Sequence, residues 1–137
     1  MVKLRHLAMR CQNLERSRDF YEKVFGFHFV GWRPQGDSLD LSDGVNNITL
    51  LQYSGPSRSA AFEEGTEYIH FGVIVDGIDE CWNRCRQWGA RISKDDVKDR
   101  TDVNPNSPPE RSFKVLDPDG NVIDVTADQN EWRGVTV

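Results

Sequence analysis

Three side chains of metal-ligand type, His6, His70 and Asp124, stand in short segments whose apolar residues alternate with polar or small ones. Alternation of that kind sends successive side chains to opposite faces of a β-sheet. Around His70 the apolar row is Phe71, Val73 and Val75, which leaves His70, Gly72 and Ile74 on the other face. Around His6 the row is Leu7 and Met9, with His6 and Ala8 opposite, and in the segment holding Asp124 the row is Ile123 and Val125, with Asp124 and Thr126 facing away. Each row can pack on a helix, so the three polar groups are expected on faces the helices leave uncovered. Two imidazoles and one carboxylate on one side of a divalent metal suit iron(II) or manganese(II), and also accept zinc(II) or nickel(II). Positions left open on such an ion admit a substrate or oxygen.

The elements that must position these groups repeat along the chain. Residues 4–11 read as a strand, and Leu14, Ser17, Phe20, Tyr21 and Val24 follow at helical spacing up to Gly26, a residue suited to the position just past a helix. Strands are expected at 27–33, 38–41 and 47–53, with turn signals at Pro34-Gln35-Gly36-Asp37 and Asp43-Gly44. After a stretch rich in Ser, Gly and Pro the pattern restarts. A strand is expected at 68–75, a helix from Ile78 to Trp88 stopping at Gly89, and strands at 90–93, 111–116 and 121–126, the last two joined by Asp117-Pro118-Asp119-Gly120. His6 precedes Leu14 by the same eight residues that separate His70 from Ile78, so the two histidines occupy one register of a repeat. The reading is an α+β chain forming one domain over 1–137, with a βαβββ module at about 1–54 and another at about 66–128. A pseudo-twofold between modules would bring His6 and His70 together near its axis, and Thr49 is the first-module counterpart of Asp124. The long polar segment Lys94 to Glu110 has no counterpart in the first module and is expected either to act as a flap or to be a plain surface insertion.

With 137 residues the chain has one domain's length, and 17 Lys+Arg against 22 Asp+Glu give a net charge of −5, which disfavours nucleic acid as a partner. No apolar run is long enough to cross a membrane as a helix, and the segment Met1 to His6 lacks the apolar stretch of a signal peptide, so a cytoplasmic protein is expected. Cys11, Cys81 and Cys85 fit neither a disulfide framework nor a zinc ribbon. Cys81 and Cys85, four apart, either share a helix face as buried thiols or could reach one metal from it.

His6 ahead of Asn13-Leu14-Glu15-Arg16-Ser17-Arg18-Asp19-Phe20-Tyr21, Phe25-Gly26-Phe27, Tyr68-Ile69-His70-Phe71-Gly72-Val73, and Leu116-Asp117-Pro118-Asp119-Gly120-Asn121-Val122-Ile123-Asp124 together resemble the vicinal oxygen chelate superfamily. That group contains glyoxalase I, fosfomycin-resistance thiol transferases, bleomycin-binding proteins and extradiol ring-cleaving dioxygenases. The resemblance implies a cup-shaped half-barrel around a divalent metal, completed in many members by a second chain, so a homodimer is expected. It matches His6, His70 and Asp124 to the family's ligand positions, with Asp124 one methylene shorter than the usual Glu. Thr49 stands where glyoxalase I carries a Glu that is both ligand and base, and a threonine hydroxyl is a poor base. The implied activity is therefore metal-dependent chemistry on a small molecule chelated through two oxygens, with ring-cleaving dioxygenase preferred. A glyoxalase-like isomerase or lyase, a thiol transferase and a metal-free binding protein are the alternatives. Tyr68, Tyr53 and His28 are candidate proton carriers. Trp32 and Phe113 are candidate walls for an aromatic substrate, each otherwise a core residue, and Arg10 is a candidate anion contact, otherwise the buried ion-pair partner of Asp40.

Overall fold

The computed structural model describes residues 5–53, 55, 70–94, 109–131 and 133. The chain divides into two compact units, Met1–Ala60 and Ala61–Val137. The first contains β1 (His6–Cys11), α1 (Leu14–Phe25), β2 (His28–Trp32), β3 (Ser38–Ser42) and β4 (Asn47–Gln52). The second contains β5 (Phe71–Ile74), α2 (Ile78–Trp88), β6 (Arg91–Lys94), β7 (Ser112–Leu116) and β8 (Val122–Thr126). Each unit is thus one βαβββ copy, and the expected elements are all present, with ends shifted by a few residues. Tyr68 and most of the segment Lys94 to Glu110 lie outside the described residues, as does the start of the strand expected at 68–75.

The first sheet runs β1-β4-β3-β2 and the second β5-β8-β7-β6. In both, the strand before the helix pairs in parallel with the last strand of its unit, and the remaining pairs are antiparallel. The repeat extends to register. Ala8 faces Thr49 across β1 and β4, and Gly72 faces Asp124 across β5 and β8, so Thr49 and Asp124 are equivalent positions. One strand further in, Thr49 faces Asp40 and Asp124 faces Lys114.

Helix α1 begins at Asn13, whose side-chain oxygen accepts from the Arg16 amide at 2.9 Å, and it ends at Gly26 in the left-handed region (φ 73°). Its buried stripe, Leu14, Ser17, Phe20, Tyr21 and Val24, is the one the spacing predicts. Phe20 and Tyr21 are fully buried, and Tyr21 stacks on Phe27 at the entry to β2. Helix α2 buries Cys81, Trp82 and Cys85, with Trp82 edge-on to Phe113 of β7 at 5.3 Å. Among the described residues no helix is long and apolar enough to cross a membrane.

Strand β8 departs from the alternating expectation, because all five of its residues are buried. Val122 at its start is buried, while Ile74 of β5 and Leu51 of β4 are half-buried. The burial of Asp124 at 3% exposure is possible because β7 places a cation against it.

Candidate metal centre

The turn Asp117-Pro118-Asp119-Gly120 fixes where Asp124 falls. The Asp117 carboxylate accepts from the amides of Asp119 and Asn121 at 2.9 and 2.8 Å, and the Asn121 side chain donates to its other oxygen at 2.8 Å. Gly120 supplies the left-handed residue (φ 81°) that this tight closure requires. Pairing then runs from Leu116 opposite Val122 to Lys114 opposite Asp124. Lys114 Nζ donates to Asp124 Oδ1 at 2.8 Å, both side chains being only 4% exposed. His70 stands immediately before β5, and its Nε2 lies 3.1 Å from Asp124 Oδ2.

The second unit therefore gathers a histidine, a carboxylate and a lysine, with Lys114 on one carboxylate oxygen and His70 near the other. Two ligands of a divalent ion, each about 2.1 Å from it and at a right angle, stand about 3 Å apart. The His70 Nε2 to Asp124 Oδ2 separation fits that spacing, while Lys114 holds the other carboxylate oxygen.

The first unit presents the third expected donor. Exposed His6 holds Nδ1 at 2.6 Å from Asn47 Oδ1. With the amide oxygen facing the ring, Nδ1–H donates and Nε2 keeps its lone pair, the tautomer a metal-ligating imidazole needs. Asn47 is tied onward into a polar network. The Thr49 hydroxyl lies 3.2 Å from Asn47 Oδ1 and donates to Asp40 Oδ1 at 2.5 Å. Arg33 spans Thr49 and both oxygens of Asp40 at 3.0–3.2 Å. Burial pushes the Asp40 carboxyl upward, but the hydrogen bonds from Arg33, Thr49 and Asn47, with the Arg33 charge, outweigh it and hold Asp40 below the usual carboxylate range.

That depression has a signed consequence. Asp40 contributes stability that is present above its unfolded pKa, near about 3.9, and is lost as pH falls through its lower folded value. Arg33→Gln is accordingly expected to lower stability at pH 7, with the gap to wild type closing as pH falls toward about 3. Urea denaturation across that range reads it, and a gap that widens in acid would contradict the assignment.

Several sequence expectations change. Arg10 does not pair with Asp40, because β4 lies between β1 and β3. It donates instead to the Gln52 carbonyl at 2.9 Å and stays exposed at the end of β1. Phe113 has no exposure and packs on Trp82, which withdraws it from any ligand. Trp32, by contrast, is 44% exposed and edge-on to Phe29, so it is not a core residue. His28 is exposed at the start of β2, and Tyr53 is half-buried just past β4. Cys81 and Cys85 are buried free thiols on α2. Their mutual hydrogen bond, with burial, raises the Cys85 pKa. Sequence reasoning missed Lys114, Asn47 and Arg33. Lys114 was countable, since pairing outward from the Asp-Pro-Asp-Gly turn sets it across from Asp124.

Among the described residues no three His, Cys, Asp or Glu side chains cluster as a metal site. The second unit brings two donors together, and the first presents one.

Two βαβββ copies, one with a histidine opening its first strand and the other with a histidine immediately before it, define a class. The model of the Glyoxalase/Bleomycin resistance protein/Dioxygenase superfamily matches residues 3–125, and the chain belongs to that superfamily. It is similar to lactoylglutathione lyase of Escherichia coli O157:H7, 28% identical over an alignment of 152 positions covering 98% of each chain. It is likewise similar to a probable trivalent organoarsenical cleaving enzyme of Bacillus subtilis, 28% identical over 122 residues covering 88% of this chain and 76% of that protein. The crystal structure of fosfomycin resistance protein FosX from Mesorhizobium loti matches with a TM-score of 0.67 at 17% identity, covering 95% of this chain and 94% of that one, a likeness of fold.

Proposed function

We propose that the chain is a metal-dependent enzyme acting on a small molecule bound through two oxygens, with His6, His70 and Asp124 as ligands of a divalent metal. Iron(II) or manganese(II) suits that donor set best, and zinc(II) or nickel(II) is the next choice. The observation that carries the reading is the 3.1 Å separation of His70 Nε2 from Asp124 Oδ2, the spacing of adjacent ligands of one ion. An ion bound there supplies Lewis acidity to a coordinated oxygen.

The chain's own residues set what else the site can do. Asn47 orients His6, and Lys114 fixes the Asp124 carboxylate so that Oδ2 faces His70. Thr49 offers a hydroxyl, and Asp40, held ionised by Arg33, is a weak base. A proton on carbon therefore finds no strong acceptor in the first unit, whereas the more acidic hydroxyls of a catechol need none. That favours the ring-cleaving dioxygenase reading. Exposed His28 and half-buried Tyr53 remain candidate proton carriers, as does Tyr68 outside the described residues, with Arg10 and Trp32 as substrate contacts. We also assign the active form to a homodimer.

A lyase is the second reading, favoured by the 28% identity to lactoylglutathione lyase over nearly the whole of both chains. Oxygen uptake by metal-loaded protein with a panel of catechols tests the first. Thioester formation from a thiohemiacetal, without oxygen consumption, would replace it with the second. Metal loading with neither activity would point to a thiol transferase, and failure to load to a metal-free binding protein of the bleomycin-resistance kind.

A further inference from the structure

His6 is exposed at the start of β1, and among the described residues its ring makes one hydrogen bond, between Nδ1 and Asn47 Oδ1 at 2.6 Å. Which nitrogen of a neutral imidazole carries the hydrogen is set by the partner the ring finds, and in water histidine places it mainly on Nε2. An amide can present either its oxygen or its NH2 group to such a ring. The neighbours of Asn47 on the same sheet face settle which end it presents.

Asp40 lies diagonally across β3 and β4 from Asn47, and an ionised carboxylate can only accept hydrogen bonds. Arg33 donates to both of its oxygens at 3.0–3.2 Å, and the Thr49 hydroxyl donates to Oδ1 at 2.5 Å. Thr49 has a single hydroxyl hydrogen. With that hydrogen on Asp40, its oxygen accepts from Arg33 at 3.0 Å and has nothing to donate to Asn47 Oδ1, 3.2 Å away. The Asn47 side chain also donates to Asp40, which only its NH2 group can do. Oδ1 is thereby turned toward His6, where it takes a hydrogen from Nδ1. The opposite amide orientation would set Oδ1 against the Asp40 carboxylate, two acceptors in contact. In the second unit the positions equivalent to Asp40 and Asn47 are Lys114 and Val122, so this relay is particular to the first.

We infer that Asp40 is a positioning residue for His6: its carboxylate, anchored by Arg33, orients the Asn47 amide and so holds His6 as the Nδ1–H tautomer with the lone pair on Nε2. Asp40 acts only through Asn47 and needs no contact with the ring. The use of that tautomer for ligation rests on the ligand set proposed above, whereas the tautomer itself is a property of the first unit without metal.

The test reads the imidazole nitrogens of the full chain, labelled with nitrogen-15 and treated with chelator, by NMR at about pH 8.5, above the ordinary histidine pKa of about 6.5. The His6 signals are assigned by their loss in His6→Gln. In the wild-type protein His6 should be mainly in the Nδ1–H form. Asp40→Asn, whose amide can match either orientation of Asn47, should lower the ratio of Nδ1–H to Nε2–H at His6 by about fivefold or more, the effect of one hydrogen bond. Thr49→Ala keeps both partners of the Asn47 amide and should leave the ratio within about twofold of wild type. Thermal melting identifies a variant that fails to fold, and Asp40→Ser then takes the place of Asp40→Asn. A wild-type His6 mainly in the Nε2–H form, equal ratios in wild type and Asp40→Asn, or a shift in Thr49→Ala as large as that in Asp40→Asn would each overturn the inference. Because no metal is present, those results leave the ligand set untouched. A correct tautomer in a protein whose His6 never binds metal would overturn the ligand set and leave the positioning role in place.

Discussion

Asp124→Ala is expected to destabilise the second unit by about 3–5 kcal/mol, because it strands the Lys114 ammonium in a site almost without solvent. That is a large part of the about 5–15 kcal/mol that holds a domain of ordinary stability folded. The loss is independent of any metal, so it should appear in chelator-treated protein by chemical denaturation. The cause separates cleanly in the double variant Lys114→Met with Asp124→Asn, which removes both charges and keeps near-native volumes. It should recover most of the loss, since a buried ion pair replaced as a whole by neutral groups is often close to neutral in stability. A single Asp124→Ala variant as stable as wild type would mean that Lys114 reaches water more readily than its 3% exposure implies. This also bears on how metal binding is read, because loss of metal in Asp124→Ala can reflect loss of structure as much as loss of a ligand.

The parts of this molecule that were legible in the sequence are those fixed by short-range pattern. The helix at Leu14–Phe25 announced itself by its apolar spacing and by Gly26, and the repeat by matching offsets from His6 and His70. The equivalence of Thr49 and Asp124 followed from that repeat and agrees with the strand registers. What stayed hidden depended on neighbours across strands. For Arg10 the sequence left an anion contact and a pair with Asp40 equally open, and only strand order, which sets β4 between the two and leaves Arg33 as the partner, removes the second. Phe113 looked like a candidate substrate wall because an aromatic residue in a strand reads the same whether it lines a cleft or packs on Trp82. Lys114 has a charged side chain in an alternating strand, which normally signals solvent. Only the register set by the Asp117–Gly120 turn reveals that it faces a carboxylate.

The second large effect concerns the ligands themselves. His6→Ala and His70→Ala should each weaken divalent metal binding by more than about a hundredfold, beyond the 10–100-fold typical of losing an outer-shell partner. Asn47→Ala, which removes the hydrogen bond orienting His6, should fall within that smaller range, and Thr49→Ala should stay within about tenfold of wild type. His6 is exposed and His70 is half-buried, so neither alanine variant carries the folding penalty expected for Asp124. Asp124→Glu, which restores the longer carboxylate usual in the family, should keep or tighten binding if Lys114 can still reach it.

The chain contains only three histidines, which allows ligation to be read directly. Zinc(II) titrated into protein labelled with nitrogen-15 should move the imidazole nitrogens of two histidines, assigned to His6 and His70, into the metal-bound range at one equivalent. The third, His28, should be unchanged, with His28→Gln fixing the assignment. Two shifted histidines and one silent one is the result the proposed ligand set predicts. Three unmoved histidines, or a shift at His28 in place of either of the others, would contradict it.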